Sequence, residues 1–338
     1  MSLHFNVLGA FLKHARPIRP AILFGMSETT TLLPDDLEPT FRGVMLGRGN
    51  APLAFCRWDH PSPRGRVVLA HGYGEHSERY RHTAHWLHSL GWSVSAMDHC
   101  GFGRSAGIRG DADGIRGFVE DLTCFLRQER HHDAPSTPRM VDGVPAPAPP
   151  THPQVLLGHS FGGLVALLAL LWHPDAMEGL VLTSPALRLR NIGLLMRLLQ
   201  RLLYCLAPHR PLDLPGDKSR VCSDPILVQR YWADPLCHHF VTAAFPVALD
   251  EGRRVLMGLG QELDRPILLL EAGNDTVVDP GASEDFWDSV PAGLLERHTL
   301  TGFLHEVLHD LRRNEAQALV EAWLMRLGNP TGTSAMSV

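Results

Sequence analysis

Residues 154–163, with the sequence QVLLGHSFGG, decide how this chain folds. The run 155–157 is apolar, as in a buried strand, and the apolar residues after Phe161 are typical of a buried helix. Between them Ser160 is the centre of a GxSxG pentapeptide. A strand, a sharp glycine turn and a helix form the setting in which a serine hydroxyl projects from the top of a sheet as a nucleophile. The stretch therefore predicts a catalytic serine at position 160. The alternative is a glycine-rich helix start with Ser160 as its N-cap.

Short apolar runs and helical patterns alternate on both sides of this stretch. Such alternation predicts the α/β class, with a doubly wound, mostly parallel sheet covered by helices on both faces. The predicted strands are Val67–Ala70, Ser93–Met97, Val155–Leu157, Leu180–Thr183, Ile267–Glu271 and Leu295–Leu300. The predicted helices are Ser77–Leu90, Arg116–Arg130, Ser160–Trp172, Gly281–Ser289 and Glu306–Leu327. A hairpin of Arg42–Leu46 and Pro52–Trp58 is expected to form the antiparallel edge.

A nucleophilic serine needs a general base, and the base needs an acid that orients it. Asp275 and His305 each follow a predicted strand, in the order Ser, Asp, His that this architecture uses. The carboxyl ends of parallel strands meet at one edge of the sheet, so we expect the three side chains to converge there. Asp279 is the rival acid, but it lies further from the end of its strand.

The sequence His71-Gly72-Tyr73-Gly74 directly follows the strand that ends at Ala70. A backbone amide from this loop and the amide after the nucleophile would together hold a developing oxyanion. The sequence thus predicts Tyr73 and Phe161 as the two amide donors. An ordinary tight turn is the alternative for this tetrapeptide.

Two histidine patterns invite a metal interpretation that we reject. The segment His305–His309 matches HExxH, but Gly302 stands close before it and a further ligand downstream is missing. His82, His85 and His88 recur on one predicted helix, where histidines are usually surface or half-buried residues. No metal and no organic cofactor is expected to take part in the reaction.

Composition excludes several classes of protein. The 338 residues contain 31 basic and 36 acidic side chains, and this balance argues against a nucleic-acid partner. The six cysteines show no CxxC spacing, which indicates reduced thiols and a cytoplasmic location. The longest apolar run, 155–172, contains three glycines and indicates a strand and a buried helix rather than a membrane span.

The chain is expected to divide into an N-terminal extension (1–42), a core in two parts (43–185 and 251–327), an inserted helical cap (186–250) and a disordered tail (328–338). The cap is apolar, with Arg197 and Arg201 on one face of a leucine-rich helix, so it could pack on the core, contact a membrane surface, or both. The proline-rich segment 131–153 is expected to be a surface loop. The first 27 residues lack acidic side chains and suit a surface helix, a transit peptide or an upstream start before Met26.

The motifs HGYGEHSERY, DHCGFGRSAG, GHSFGG, AGNDTVVD and GFLHEVLHD, in this order, resemble the monoglyceride lipase and lysophospholipase group of α/β-hydrolases. The segment SRVCSDPILVQRYWADPL is similar to the cap of that group. The resemblance implies a serine hydrolase that cleaves esters of single-chain lipids, with Ser160, Asp275 and His305 as the triad and Tyr73 and Phe161 as oxyanion donors.

Monoacylglycerol is the expected substrate, with a lysophospholipase or general carboxylesterase as the alternative. A peptidase on the same fold is a further alternative, for which Asp213, Asp217 or Asp224 would bind a free amine. We expect a cytoplasmic enzyme, with peripheral membrane contact through the cap or the N-terminal segment.

Overall fold

The computed structural model describes residues 36–133, 139–141, 144–146, 152–190, 193–214 and 216–328. Within these residues a sheet of eight strands runs through the molecule. Its strands are β1 (Phe41–Leu46), β2 (Pro52–Trp58), β3 (Gly65–Ala70), β4 (Trp92–Met97), β5 (Gln154–His159), β6 (Gly179–Thr183), β7 (Ile267–Ala272) and β8 (Leu295–Leu300). The spatial order is β1-β2-β4-β3-β5-β6-β7-β8.

The hairpin of β1 and β2 forms one edge of the sheet. β1 pairs with β2 and β2 pairs with β4 in antiparallel register. The remaining neighbours, from β4 to β8, pair in parallel. The predicted fold class and the predicted antiparallel edge are therefore confirmed.

Helices cover both faces of the sheet. They are α1 (Arg81–Ser89), α2 (Ile115–His132), α3 (Phe161–Trp172), α4 (Leu194–Leu206), α5 (Pro225–Ala233), α6 (Ala244–Leu256), α7 (Glu284–Asp288) and α8 (Arg313–Gly328). One apolar cluster packs α1 and α8 against the sheet, and the other packs α2, α3, α6 and α7 against the opposite face. Burial on both faces explains the apolar runs of inner parallel strands such as β7, whereas the edge strand β8 is partly buried and largely polar.

The predicted start of the last helix was wrong. The periodic pattern suggested Glu306, whereas α8 begins at Arg313. Asp310 has an extended backbone, and its carbonyl accepts a hydrogen bond from the amide of Arg313. The extended conformation of Asp310 prevents α8 from continuing back to Glu306. His305 lies in a loop between β8 and a short 3₁₀ turn at Val307–His309.

The expected cap, residues 186–250, is called the cap segment below. It contains α4, α5 and a pair of two-residue strands, Leu212–Asp213 with Phe240–Val241. α6 crosses the expected boundary at residue 250 and packs its Gly252 close to α2 and α3. The division into core and cap stays a prediction.

Several predictions fall partly or wholly on residues that are not described. The N-terminal segment 1–35 and the tail after 328 lie outside the described residues. Of the proline-rich segment, the described part includes a hairpin of Arg139–Val141 and Val144–Ala146. In the described part of the chain, no helix has the length and hydropathy needed to span a bilayer.

Candidate active site

The turn between β5 and α3 holds Ser160 in a backbone conformation that side chains rarely adopt. Its φ is +51°, in the left-handed region, and its amide donates to the carbonyl of Thr183 at 3.0 Å. A Cβ at Gly158 would lie 2.8 Å from the Cβ of Ala166, and a Cβ at Gly162 would collide with the carbonyl of Ala70. The two glycines let α3 approach the ends of β3 and β5. The strained turn therefore depends on both glycines of the pentapeptide.

The structure brings Ser160, His305 and Asp275 together. The serine hydroxyl lies 2.8 Å from Nε2 of His305, and Nδ1 of His305 lies 2.7 Å from Oδ2 of Asp275. The other oxygen of Asp275 accepts the amides of Val277 and Val278 at 2.8 and 2.9 Å. This carboxylate is therefore fixed at both oxygens, and one of them faces the imidazole. The rival acid, Asp279, makes no hydrogen bond to His305 in the structure.

Electrostatics keep the acid ionised and a neighbouring histidine neutral. Burial opposes ionisation of Asp275, but the hydrogen bond and charge of His305 and the two backbone amides lower its pKa below the ordinary value. The ring of His159 lies 5.0 Å from that of His305, between ring centroids. Burial, with repulsion from His305, lowers the pKa of His159 to about 4. A neutral His159 places no positive charge beside an imidazolium at position 305.

Two backbone amides, those of Tyr73 and Phe161, are expected to bind an oxyanion. No hydrogen bond from the amide of Tyr73 or Phe161 is found in the described part of the chain. Gly72, which precedes Tyr73, donates its own amide to Oε1 of Glu75 at 2.6 Å. The same oxygen accepts the hydroxyl of Tyr80 at 2.8 Å. Glu75 thus holds the loop through the amide of Gly72, and the amide of Tyr73 stays available to a ligand.

A network of buried charged side chains extends from Glu75 to the cap segment. Arg79 pairs with Glu75 and, at 3.1 Å, with Glu306, the residue that follows His305. Glu306 also pairs with Lys218 of the cap segment. The positive charges of Arg79 and Lys218 overcome the burial of Glu306 and hold its pKa well below the usual range. Sequence reasoning missed Glu306 and Lys218, because neither belongs to a motif that signals a contact between distant segments.

Among the described residues, the histidines of the two rejected metal patterns face separate partners. Nε2 of His305 faces the serine, whereas Nε2 of His309 faces the carbonyl of Arg79 at 3.4 Å. Nε2 of His82 contacts the carbonyl of Leu308 at 3.0 Å. In the described ranges, the only side chains grouped closely enough to hold a metal ion are those of His76, Asp234 and Cys237.

Aromatic rings and the cap segment enclose the site. The ring of Tyr73 lies 4.3 Å from Phe245 and 5.4 Å from Phe102, between centroids, and its hydroxyl donates to the carbonyl of Phe240. The relative exposure of Ser160 is 7%, and that of His305 is 5%. Both side chains are therefore largely shielded from solvent in this structure.

Comparison with known proteins identifies the family of this chain. The Hydrolase_4 family model, described as serine aminopeptidase S33, matches residues 61–312, which are 252 of the 338 residues. The chain is 30% identical over 297 residues to a monoacylglycerol lipase of Mycolicibacterium smegmatis, which covers 85% of this chain and 96% of that protein. It is 31% identical over 243 residues to the monoglyceride lipase of Rattus norvegicus, covering 70% and 75%.

Solved structures show the same architecture. The crystal structure of a monoacylglycerol lipase from Paleococcus ferrophilus superposes with a TM-score of 0.69 and 25% identity, over 81% of this chain and 99% of that one. Relatives of this kind indicate an ester hydrolase. The fold, the relatives and the length of the family match together establish that the chain belongs to the Hydrolase_4 family of α/β-hydrolases.

Proposed function

We propose that this chain hydrolyses monoacylglycerols through a serine, histidine and aspartate triad. The observation that carries the proposal is the continuous hydrogen-bonded relay from Ser160 through His305 to Asp275, with distances of 2.8 and 2.7 Å. The relatives named as monoacylglycerol lipases support the choice of substrate. Ester hydrolysis needs a nucleophile, a base and an oriented acid, and these side chains supply one of each.

In the proposed reaction, Ser160 attacks the ester carbonyl while Nε2 of His305 takes the hydroxyl proton. Asp275 holds Nδ1–H and stabilises the imidazolium that forms. The oxyanion accepts hydrogen bonds from the amides of Tyr73 and Phe161. His305 then protonates the leaving glycerol, and a water molecule activated by the same histidine releases the fatty acid from the acyl-enzyme.

The surface of α4 supports a lipid substrate and contact with a membrane surface. Leu198, Leu202 and Leu206 recur at four-residue spacing and are 53, 55 and 73% exposed. Arg197 and Arg201 are exposed on the same helix. An apolar stripe beside basic side chains is typical of helices that bind the interface of anionic membranes. The proposal thus includes a cytoplasmic enzyme that collects its substrate at a membrane.

The alternative substrates are lysophospholipids and simple carboxylic esters, since the same relay would act on either. The family description raises the peptidase alternative again. Asp217 caps a 3₁₀ turn through the amide of Ser219, and Asp224 caps α5 and pairs with Arg313. Asp213 is exposed on a two-residue strand. Since Asp217 and Asp224 already have structural partners, the acidic side chains give little support to an amine-binding site.

The first experiment is labelling with a fluorophosphonate probe, which reacts only with activated serines. We expect the wild-type protein to be labelled with and without a chelator, and Ser160→Ala and His305→Ala to lose labelling. Circular dichroism of both variants serves as the control for folding. Strong labelling of Ser160→Ala would contradict the nucleophile assignment.

The second experiment decides among substrates. The wild-type protein is assayed with monoacylglycerols of several chain lengths, lysophospholipids, and amino-acyl amides. We expect the highest kcat/KM for a monoacylglycerol. Preference for a lysophospholipid would replace the substrate and keep the mechanism. Hydrolysis of amides without ester turnover would favour the peptidase.

A further inference from the structure

A group of three side chains joins the core to the cap segment near the loop His71–Gly74, which is called the oxyanion loop below. His76 follows Glu75 in the core, whereas Asp234 ends α5 and Cys237 lies in the next turn. Nε2 of His76 lies 2.8 Å from Oδ2 of Asp234, and one ligand atom from each of the three residues lies within 4.8 Å of the others. His76 is buried, and the side chains of Asp234 and Cys237 are partly exposed. The three side chains therefore already lie close together, and two of them are accessible to solvent.

The donor atoms suit a borderline-soft divalent cation. An imidazole nitrogen, a carboxylate oxygen and a thiolate sulfur are the three ligand types that Zn²⁺ accepts in proteins. A tetrahedral zinc ion holds its ligand atoms roughly 3.3–3.7 Å apart, so small rotations of these side chains would be enough. Mg²⁺ and Ca²⁺ prefer oxygen ligands and would not use the cysteine.

Local backbone structure arranges two of the donors. Asp234 and Cys237 are three residues apart, and the amide of Cys237 donates to the carbonyl of Asp234 at 3.1 Å. Oδ1 of Asp234 accepts the amide of Leu236 at 2.9 Å, which leaves Oδ2 directed at His76. A short turn that supplies two ligands and a distant segment that supplies the third is a common plan for zinc sites.

We propose that His76, Asp234 and Cys237 bind one Zn²⁺ ion, with water as the fourth ligand, and that this ion fastens the cap segment to the core. The ion takes no part in ester hydrolysis. Zn²⁺ displaces the Nε2 proton from the imidazolium form of His76, which keeps its Nδ1 proton and binds as a neutral ring. It also displaces the thiol proton of Cys237, and both protons are released to solvent. The carboxylate and thiolate then balance the two positive charges of the ion.

The position of the site gives the ion a regulatory effect. The amide of His238, adjacent to Cys237, donates to the carbonyl of Gly74 at 3.0 Å in the oxyanion loop. The hydroxyl of Tyr73 in that loop also donates to the carbonyl of the nearby Phe240, so a metal bond between the two segments would further restrain the cap segment against the oxyanion loop. Zinc is therefore expected to stabilise the protein and to slow turnover.

The test uses untagged full-length protein with the Ser160→Ala substitution, so that binding is measured independently of catalysis. We expect isothermal titration with Zn²⁺ to give one site per chain, and Co²⁺ to produce a thiolate charge-transfer absorption. Asp234→Asn and Cys237→Ser should each weaken zinc binding by at least about tenfold, since even outer-sphere substitutions reach that size. Cys237→Ser should also abolish the charge-transfer absorption.

Cys124→Ser is the matched control, because Cys124 is an exposed thiol on α2. This variant should bind Zn²⁺ and Co²⁺ like the parent. Absence of binding to the folded parent would overturn the proposal, as would binding that survives both Asp234→Asn and Cys237→Ser. In the active wild type, zinc should raise Tm and lower kcat, and both effects should disappear in Cys237→Ser. Failure of ester hydrolysis alone would leave the binding result unaffected.

Discussion

Two leucine-rich helices of similar length, α3 and α4, differ in what covers them. Residues 161–170 of α3 are all buried, because the helix lies between the sheet and the helices α2 and α6. In α4, by contrast, the stripe Leu198, Leu202 and Leu206 faces solvent. The difference shows that the place of a helix in the topology, rather than its leucine content, decides whether its apolar side chains stabilise the core.

The same contrast separates the proposed catalytic residues from the proposed membrane contact. The start of α3 fixes Ser160 by close backbone packing that tolerates no extra atom at Gly162. The cap segment contacts the site through side chains, such as the pair of Lys218 with Glu306. Substitutions near α3 and its partners should therefore affect catalysis and stability, and substitutions on α4 should affect membrane contact.

The largest expected effect is that of replacing Asp275, the acid of the proposed triad. Asp275→Asn should lower kcat on a soluble ester by about 10⁴-fold with little change in folding. An amide at this position would favour the histidine tautomer that carries its proton on Nε2, and this tautomer cannot accept the serine proton. Steady-state kinetics and circular dichroism measure the two parts of the prediction.

Asp279→Asn is the matched control for that substitution. Asp279 lies four residues later, in the same loop, and makes no hydrogen bond to His305. This variant should retain most of its activity. If Asp279→Asn were as inactive as Asp275→Asn, the assignment of the acid would be wrong.

The sequence predicted the sheet because most core strands contain a short apolar run bounded by glycine or polar residues. β4 includes two serines, and β8, with the sequence LERHTL, is largely polar and only partly buried. The sequence also identified Ser160, Asp275 and His305, since a nucleophile turn and the ends of later strands have recognisable local patterns. Their hydrogen-bonded geometry could not be read from the sequence, and their catalytic roles stay predictions until tested. The false helix start at Glu306 arose because the residues 306–312 have a helical pattern that the extended backbone of Asp310 interrupts.

Contacts between segments that are distant in the sequence could not be predicted from local patterns. Glu306 pairs with Arg79, 227 positions earlier in the chain, and nothing in the spacing of either residue signals this. The pairing of His76 with Asp234 spans 158 positions and is equally hidden. Such pairs depend on how the cap segment packs on the core.

The next effect is on the stability of the core helix. Leu167 in α3 is fully buried, so Leu167→Ala should lower the free energy of unfolding by about 2–5 kcal/mol. The loss combines reduced burial with the cavity left behind. Urea denaturation followed by circular dichroism measures it. A change below about 1 kcal/mol would show that α3 is packed more loosely than the structure indicates.

The third prediction concerns the contribution of the buried Glu78 carboxylate to the free energy of unfolding. Glu78 is 5% exposed and pairs with Arg42, Arg81 and Arg104. Burial raises its pKa, but the arginines outweigh burial and lower it to about 2 from the usual 4.5. A depressed folded-state pKa contributes stability that is present above the unfolded value and is lost as the pH falls from 4.5 towards 2.

Glu78→Gln should therefore lower the free energy of unfolding at pH 7 by on the order of 3 kcal/mol. The difference from the wild type should shrink as the pH falls below about 4.5. Denaturation between pH 7 and pH 3 measures both trends. Asp250→Asn is the control, because Asp250 is 54% exposed and its pairs with arginines contribute little. A difference that is constant with pH would argue against the ion pairs as the source of stability.

The smallest effect on stability is expected on α4, and it tests the proposed membrane contact. The double substitution Leu198→Ser and Leu202→Ser should change the free energy of unfolding by less than about 1 kcal/mol, since both side chains are more than half exposed. Binding to vesicles of phosphatidylcholine and phosphatidylglycerol should weaken at least about tenfold, because each leucine that enters the interface contributes roughly 1.5 kcal/mol or more. Co-sedimentation measures binding, and a soluble ester assay should show unchanged kcat. Equal vesicle binding by the variant and the wild type would place membrane contact elsewhere on the chain.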